Sequence, residues 1–473
     1  MQNIGNPLQI PSGREGLTDY VQSYDRNAPP YYAGRKRLLS GIEDICGEIW
    51  KKHENNLPQR KGLTRLIYGA PGVGKSSTLM YLQHAWQQGV YMTADAAGCR
   101  RSGPTPVMMN CNRSDFISLA TLCGNLVNLV ESESNRAKDL FAASSETKRV
   151  SGGGGAGFVK GGIEFEKTTH YDAAVAELQA VAKTLPHEKW KRPVVIGIDE
   201  AQNLPGDRHS PLGILLQDLH ENRVNLPMMV LLMGLSDTKE RVNELGLSRL
   251  SKDSTYSMNG LDAAEIEELK EGFCAHFEID LGNRADEFDA LLRRTDGWAS
   301  HLQNALQAFA EVYLEAGYEI EAMDFARVEQ LSLETRMEYY FDRLSDAMKT
   351  SSGVVGLLMK RMKGGEVRRD ILSMIQRIHD DHAGSRDVGL RLPDGMTAQE
   401  FYNDLIHRGA LQERNDEIVI CPIPSFRQFL IEKGRLGEDD YSMRREVPQQ
   451  LYYGLTWDAL QRVEAAHEVR PAH

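Results

Sequence analysis

"LTRLIYGAPGVGKSSTLMYLQHAW", residues 63–86, decides the fold. An apolar strand pattern gives way to a glycine-rich bend. The bend opens a helical pattern in which a lysine and two hydroxyls stand where a packed core has no use for them. Gly69, Gly72 and Gly74 are expected to let the backbone curl so that several N–H groups point inward. The helix that follows adds its positive end, roughly half an elementary charge. The spacing G-x-x-x-x-G-K-S is met by Gly69, Gly74, Lys75 and Ser76, between a strand and a helix as a phosphate-cradling loop requires. Gly69, Ala70, Pro71, Gly72, Val73, Gly74, Lys75, Ser76 and Ser77 are therefore the expected nucleotide-binding residues. Lys75 would reach the outer phosphates and serve turnover, and the Ser76 hydroxyl would ligate Mg2+.

Working outward, "RPVVIGIDEAQNL" (192–204) reads as a buried strand ending in two acids, and "LPMMVLLMGLSDT" (226–238) as a second such strand with polar residues just past its end. "TPVMMNCN" (105–112) reads as another. Strands alternating with helices predict a parallel sheet covered on both faces, with ligands beyond the strands' carboxyl ends. Asp199 at such an end suits a ligand for the same Mg2+, and Glu200 suits the group that orients and polarises the attacking water. A helix N-cap pair is the competing reading of the two acids. Ser236 or Asp237 would hold that water from the other side, or cap the helix of "SDTKERVNEL". Arg249 in "LGLSRLS" is the candidate for a charge donated to a neighbouring subunit's nucleotide, against a plain surface arginine.

Length and composition agree with this. At 473 residues the chain should hold about three domains. Its 41% hydrophobic and 26% charged content is that of an ordinary globular protein. No apolar run approaches the roughly 20 residues of a membrane span, and no export signal is visible, so a cytoplasmic location is expected. The six cysteines (46, 99, 111, 123, 274, 421) show no C-x-x-C pairing. A net charge of −12 argues against a protein coated in nucleic acid but not against one local basic face.

The expected organisation is a polar arm over 1–30, a nucleotide-binding α/β domain over 31–260, and a helical lid over 261–340. A winged-helix-like domain over 341–435 and a polar tail over 436–473 complete it. Leu38, Leu39, Ile42, Ile45, Cys46 and Ile49 predict an amphipathic helix entering the first domain, and Leu302, Leu306, Phe309 and Val312 a single stripe in the lid. "DFISLATLCGNLVNLVES" (115–132) reads as a helix. Seven glycines within 151–162 predict a flexible hairpin or loop, or a mobile element that touches DNA or another subunit. In the third domain, three helical patterns followed by two short strands give the order of a winged helix, with Thr397 and Glu400 as a capping box. Its basic residues Lys360, Arg361, Lys363, Arg368, Arg369, Arg377, Arg386 and Arg391 are nearly matched by acids, so DNA binding and protein docking stay open.

Together Gly69–Ser76, "IDEAQNL", Ser236 and "SRL" resemble AAA+ P-loop ATPases, most closely the clade of origin-recognition initiators, transposition regulators and STAND-like signalling ATPases. "YYAGRKRLL" (31–39) resembles the Gly-Arg box that these proteins place beside the adenine, with Gly34 and Arg35 at the matching positions. The resemblance implies ATP and Mg2+ as cofactors. It implies hydrolysis to ADP and phosphate at subunit interfaces of a nucleotide-dependent homo-oligomer, driving a complex associated with double-stranded DNA. The STAND-like alternative is a slowly hydrolysing switch that recruits a protein partner. In "TDGWASHLQNAL" the family's lid usually carries an arginine three residues after the glycine. Here Ser300 stands there with His301 beside it as the candidate nucleotide contact, and Arg293 or Arg294 as candidate substitutes.

Overall fold

The computed structural model describes residues 10–22, 32–59, 63–89, 91, 103–111, 192–204, 213, 216–217, 220–221, 227–247, 250, 254–384, 388–414 and 417–436. The expected helix over 115–132, the glycine-rich run, Arg249, Arg386 and the tail past 436 lie outside the described residues.

Five strands form one parallel sheet: β1 (Thr64–Tyr68), β2 (Thr105–Asn110), β3 (Val194–Asp199), β4 (Met228–Gly234) and β5 (Thr255–Ser257), in the order β2-β3-β4-β1-β5. Every residue of β3 and β4 is buried, which explains their unbroken apolar sequences. The sheet packs against α2 (Lys36–Glu54), which buries Leu38, Leu39, Ile42, Cys46 and Ile49 as the spacing predicts, and against α3 (Lys75–Gln87). β4 lies between β1 and β3, so the loop leaving β1 and the acids leaving β3 emerge on the same edge of the sheet.

The helical stretch expected as the lid, called the lid below, consists of α5 (Ala263–Phe277), α6 (Ala285–Arg293), α7 (Ala299–Glu315) and α8 (Phe325–Arg343), while α4 (Thr238–Glu244) follows β4. Asp262 and Glu265 close a reciprocal cap on α5. Leu302, Leu306, Phe309 and Val312 are all buried, in a core with Phe273, Phe277 and Phe288. The arm expected over 1–30 differs in part, because residues 13–22 form a helix, α1 (Gly13–Gln22). Leu17 and Tyr20 lie one turn apart and sink into the lid core, Tyr20 against Phe273 and Phe277. Two apolar anchors suffice when a preformed hydrophobic surface receives them, and a polar average hides them.

Beyond the lid come α9 (Asp346–Thr350), α10 (Ser352–Arg361), α11 (Arg368–Asp381) and α12 (Ala398–His407). The antiparallel pair β6 (Gln412–Glu413) and β7 (Val419–Ile420) and then α13 (Pro424–Leu436) complete the described chain. Thr397 and Glu400 form the expected capping box. This region does not stand apart. Its Leu358, Phe401, Phe426 and Phe429 belong to the same buried cluster as Leu79, Trp86 and Met233 of the sheet domain. At the junction the Gln412 side chain accepts a hydrogen bond from the backbone N–H of Ala70 at 3.0 Å and donates to the Ser257 hydroxyl at 2.9 Å.

Candidate nucleotide site

A cavity of about 610 Å³ opens where the sheet's carboxyl edge, the lid and the C-terminal region meet. The loop from Pro71 to Ser77 runs along one wall, and α3 begins there with its free N–H groups unopposed. Gly72 has φ +78° and Gly74 φ +98°, the left-handed backbone that turns successive N–H groups to one side. Gly69 serves differently from the expectation. Its φ is not positive, and a Cβ there would stand 2.6 Å from the Met258 carbonyl oxygen, so what it supplies is close approach of two backbones.

Lys75 is buried and folds back to donate to the carbonyl oxygens of Gly69 at 2.8 Å and Ala70 at 3.2 Å. Burial pushes its pKa down to about 8, against the opposing pull of Glu200 and Asp199, while Arg343 pushes further down. The Ser76 hydroxyl donates to Asp199 Oδ2 at 2.7 Å, which brings the two oxygens expected at the metal into one place. Burial raises the pKa of Asp199, with Ser76 opposing. Hard oxygen donors in a pair suit Mg2+, which retains waters and takes its remaining ligands from substrate phosphates. Among the described residues no cluster of three or more His, Cys, Asp or Glu offers an all-protein metal cage.

Glu200 lines the cavity in the left-handed region at φ +55°, a conformation that costs of order 1 kcal/mol for a residue with a Cβ. Its carboxylate is held by the Gln202 amide, and the other end of that amide accepts from the N–H of Leu235 at 3.1 Å. Gln202 thus ties the acid after β3 to the end of β4. Asp199 and Glu200 are not an N-cap pair, since no side-chain bond caps the short 3-10 turn Ala201–Asn203.

Arg35 lines the cavity in a left-handed backbone (φ +58°), and its guanidinium donates to the Val73 carbonyl at 3.0 Å. Gly34, beside it, is required by contact with Glu265, whose side chain would lie 2.9 Å from any Cβ. Tyr32, Ala33, Leu261, Leu269 and Leu302 supply the apolar part of the wall. Not every expected residue reaches the cavity. Ser236 is buried at the end of β4 outside the lining, where Leu235 takes its place. His301 is a correction: it is fully buried, edge-on to Tyr339 and Tyr340 at 5.3 and 5.4 Å, and burial lowers its pKa so that it is neutral. α7 directs Ser300 into the cavity, and the Ser300 N–H donates to the Gly72 carbonyl at 2.9 Å. Arg293 and Arg294 do not line it, and Arg294 pairs with Glu329. Two other arginines do line it, Arg343 at the end of α8 and Arg408 just after α12. Neither was singled out from sequence, nor were Gln202, Tyr339 and Gln412. Only Gln202 lies near a motif; the rest reach the loop from more than 250 positions away.

A glycine loop at a helix N-terminus with a buried lysine, and a Ser–Asp oxygen pair next to a polar acid, define a nucleoside-triphosphate site of the P-loop class. Residues 60–241 match the family described as an AAA domain, which supports an ATPase of the P-loop class. No curated protein matches the chain in sequence. Among solved structures it is similar to a Walker-type ATPase of Pyrococcus abyssi (16% identity, 82% of this chain and 95% of that one, TM-score 0.45). It is also similar to the ORC2 protein of Aeropyrum pernix in its ADP form (12%, 90% and 94%, 0.45). A third is the ORC1 protein of Aeropyrum pernix in complex with DNA (14%, 90% and 97%, 0.40). No helix among the described residues is long and apolar enough to cross a membrane.

The lowered pKa of Lys75 yields a direct expectation. Near pH 8.5 much of the free protein carries a neutral Lys75, and phosphates placed beside it restore the charge. ATP binding should therefore take up a proton, at most about one per site, and affinity should fall as pH rises further. Calorimetry at pH 8.5 in two buffers of different ionisation enthalpy measures this. Lys75→Arg, whose guanidinium stays charged, should show no uptake.

Proposed function

We propose that this chain is a Mg-dependent AAA+ ATPase that hydrolyses ATP to ADP and phosphate in a nucleotide-dependent homo-oligomer acting on a DNA-associated complex. The observation that carries the reading is the 2.7 Å bond between Ser76 and Asp199, which joins the phosphate loop to the acidic strand end. In this reading Lys75 and the loop N–H groups hold the phosphates, Ser76 and Asp199 hold Mg2+, and Glu200 orients the water. Mg2+ would supply charge neutralisation across the outer phosphates when bound. Arg35 and Gly34 border the adenine. Arg249 donates its charge to a neighbour's nucleotide.

The 341–435 region is assigned as a winged helix by its element order. A shallow groove between α11 and the start of α12 exposes Arg369 and Arg377 with Gln376 and Thr397. Arg368 is already committed to Glu240 of the sheet domain. Asp380 and Asp381 line the same groove, so this charge-balanced face fits at most weak backbone contact with duplex DNA.

A second reading, the nucleotide switch that recruits a protein partner, is favoured by one observation. The C-terminal region bonds directly to the phosphate loop through Gln412 and Ala70. Light scattering with ATP, with ADP and with neither, each with and without duplex DNA, separates the two. An assembly that grows with ATP and DNA supports the DNA-associated ATPase. An ATP-dependent change in size indifferent to DNA supports the switch, and one size under all conditions overturns both.

A further inference from the structure

We infer that Arg343 and Arg408 are ligands for the terminal phosphate of the bound triphosphate, supplied by the last lid helix and by the C-terminal region in place of the lid arginine that Ser300 replaces. The inference rests on the nucleotide reading of this cavity.

Three observations converge. The first is position. Both arginines line the same cavity as Gly72, Gly74, Lys75 and Ser76. Arg343 stacks over the Tyr339 ring at 4.7 Å, and the Tyr339 hydroxyl donates to the Pro71 carbonyl at 2.6 Å, so one ring separates the guanidinium from the phosphate loop. Arg408 is followed by Gly409, which packs so closely that a Cβ there would lie 2.4 Å from Pro71 Cδ.

The second is charge without a partner. Among the described residues Arg343 has no carboxylate within ion-pairing distance. Arg408 reaches only Asp404, at 4.0 Å, and its Nε is buried with no hydrogen-bond partner. A buried guanidinium N–H left unsatisfied at the edge of a polar cavity calls for an anion. Arg343 also lies close enough to Lys75 to disfavour its charge, so two cations face one space whose lining carboxylates are Glu200 and Asp342.

The third is need. With His301 buried elsewhere and Arg293 and Arg294 away from the cavity, Lys75 would otherwise be the sole cation of the loop and lid facing the outer phosphates. Planar guanidinium forks match the oxygens of a terminal phosphoryl group, and ADP has no such group. The pair therefore reads ATP against ADP. Because Arg408 belongs to the region that Gln412 ties to Ala70, that reading reaches the C-terminal region.

The test is calorimetric titration of the full chain with Mg2+ and, separately, a non-hydrolysable ATP analogue, ADP and AMP. The proteins are the unmodified chain, Arg343→Ala, Arg408→Ala, and the glutamine substitutions that keep side-chain length. Each variant should lose about tenfold or more in affinity for the triphosphate. ADP affinity should change by less than about threefold, since ADP has no terminal phosphoryl group for either guanidinium to hold. Melting temperatures without nucleotide should stay level. Equal losses for triphosphate and diphosphate, or no loss for either, would overturn the assignment while leaving the nucleotide site standing. If the unmodified chain takes up no nucleotide, the site reading falls and this inference falls with it. Should an alanine variant unfold, the glutamine variant decides on the same criterion.

Discussion

Glu200→Gln is expected to bind ATP as the parent does and to lose about 10²- to 10⁴-fold in turnover. The carboxylate is held by Gln202 in a strained left-handed backbone at the cavity wall, where it makes no bond to the phosphate loop itself. The amide keeps size and shape, so the ground-state contacts of the loop survive. What disappears is the negative oxygen that accepts a proton from water. Single-turnover phosphate release, measured beside equilibrium ATP affinity, separates the two effects. Undiminished release would remove Glu200 from the reaction. Because Gln202 bridges Glu200 to Leu235, the substituted amide can also turn, with its NH2 toward Gln202, so a small structural shift at the end of β4 is the control to inspect.

The second large effect concerns Lys75→Ala. Nucleotide protection against heat should vanish, while the melting temperature of the nucleotide-free protein should hold or rise. Burial lowers the Lys75 pKa from 10.5 to about 8. A group whose folded pKa lies below its unfolded value destabilises the fold at low pH, and the effect is relieved as pH climbs from about 8 toward 10.5. Below pH 8 the charged lysine thus opposes folding by about 3 kcal/mol. Its two hydrogen bonds to Gly69 and Ala70 return about 1 kcal/mol each. Removing the whole group is therefore close to neutral or favourable without ligand and severe with it, the pattern of a residue kept for function at the expense of stability. A marked drop in the melting temperature of the nucleotide-free variant would contradict this account.

The readable parts of this protein were those written in short-range spacing. The phosphate loop, the Asp199 strand end, the lid stripe from Leu302 to Val312 and the Thr397–Glu400 cap each depend on residues within a dozen positions of one another, and the structure has all of them. The parallel sheet followed from unbroken apolar strands alternating with helices. What spacing could not convey is which distant side chains arrive at the loop. Arg343, Arg408 and Gln412 sit at the ends of helices or in a two-residue strand, where an arginine or glutamine looks like surface. Only the docking of the last domain against Pro71 and Ala70 gives them meaning. His301 failed for a related reason: one position along α7 is a rotation of about 100°, enough to turn Ser300 into the cavity and His301 between two tyrosines. α1 was missed because its two anchors are meaningful only against a lid core assembled from residues 260 positions later.

The buried cluster shared by the sheet and the C-terminal region carries a consequence for how such a chain can change over generations. A module joined by a linker can be exchanged for another with no effect on its host. Here Phe426 and Leu79 rest in a single continuous interior, and Gln412 completes the bonding of the loop that cradles phosphate. Trading the final domain for another would uncover the sheet's flank and leave an amide of that loop without its acceptor. The two halves are obliged to vary together, since a break between α8 and α9 would leave each with an uncovered apolar face.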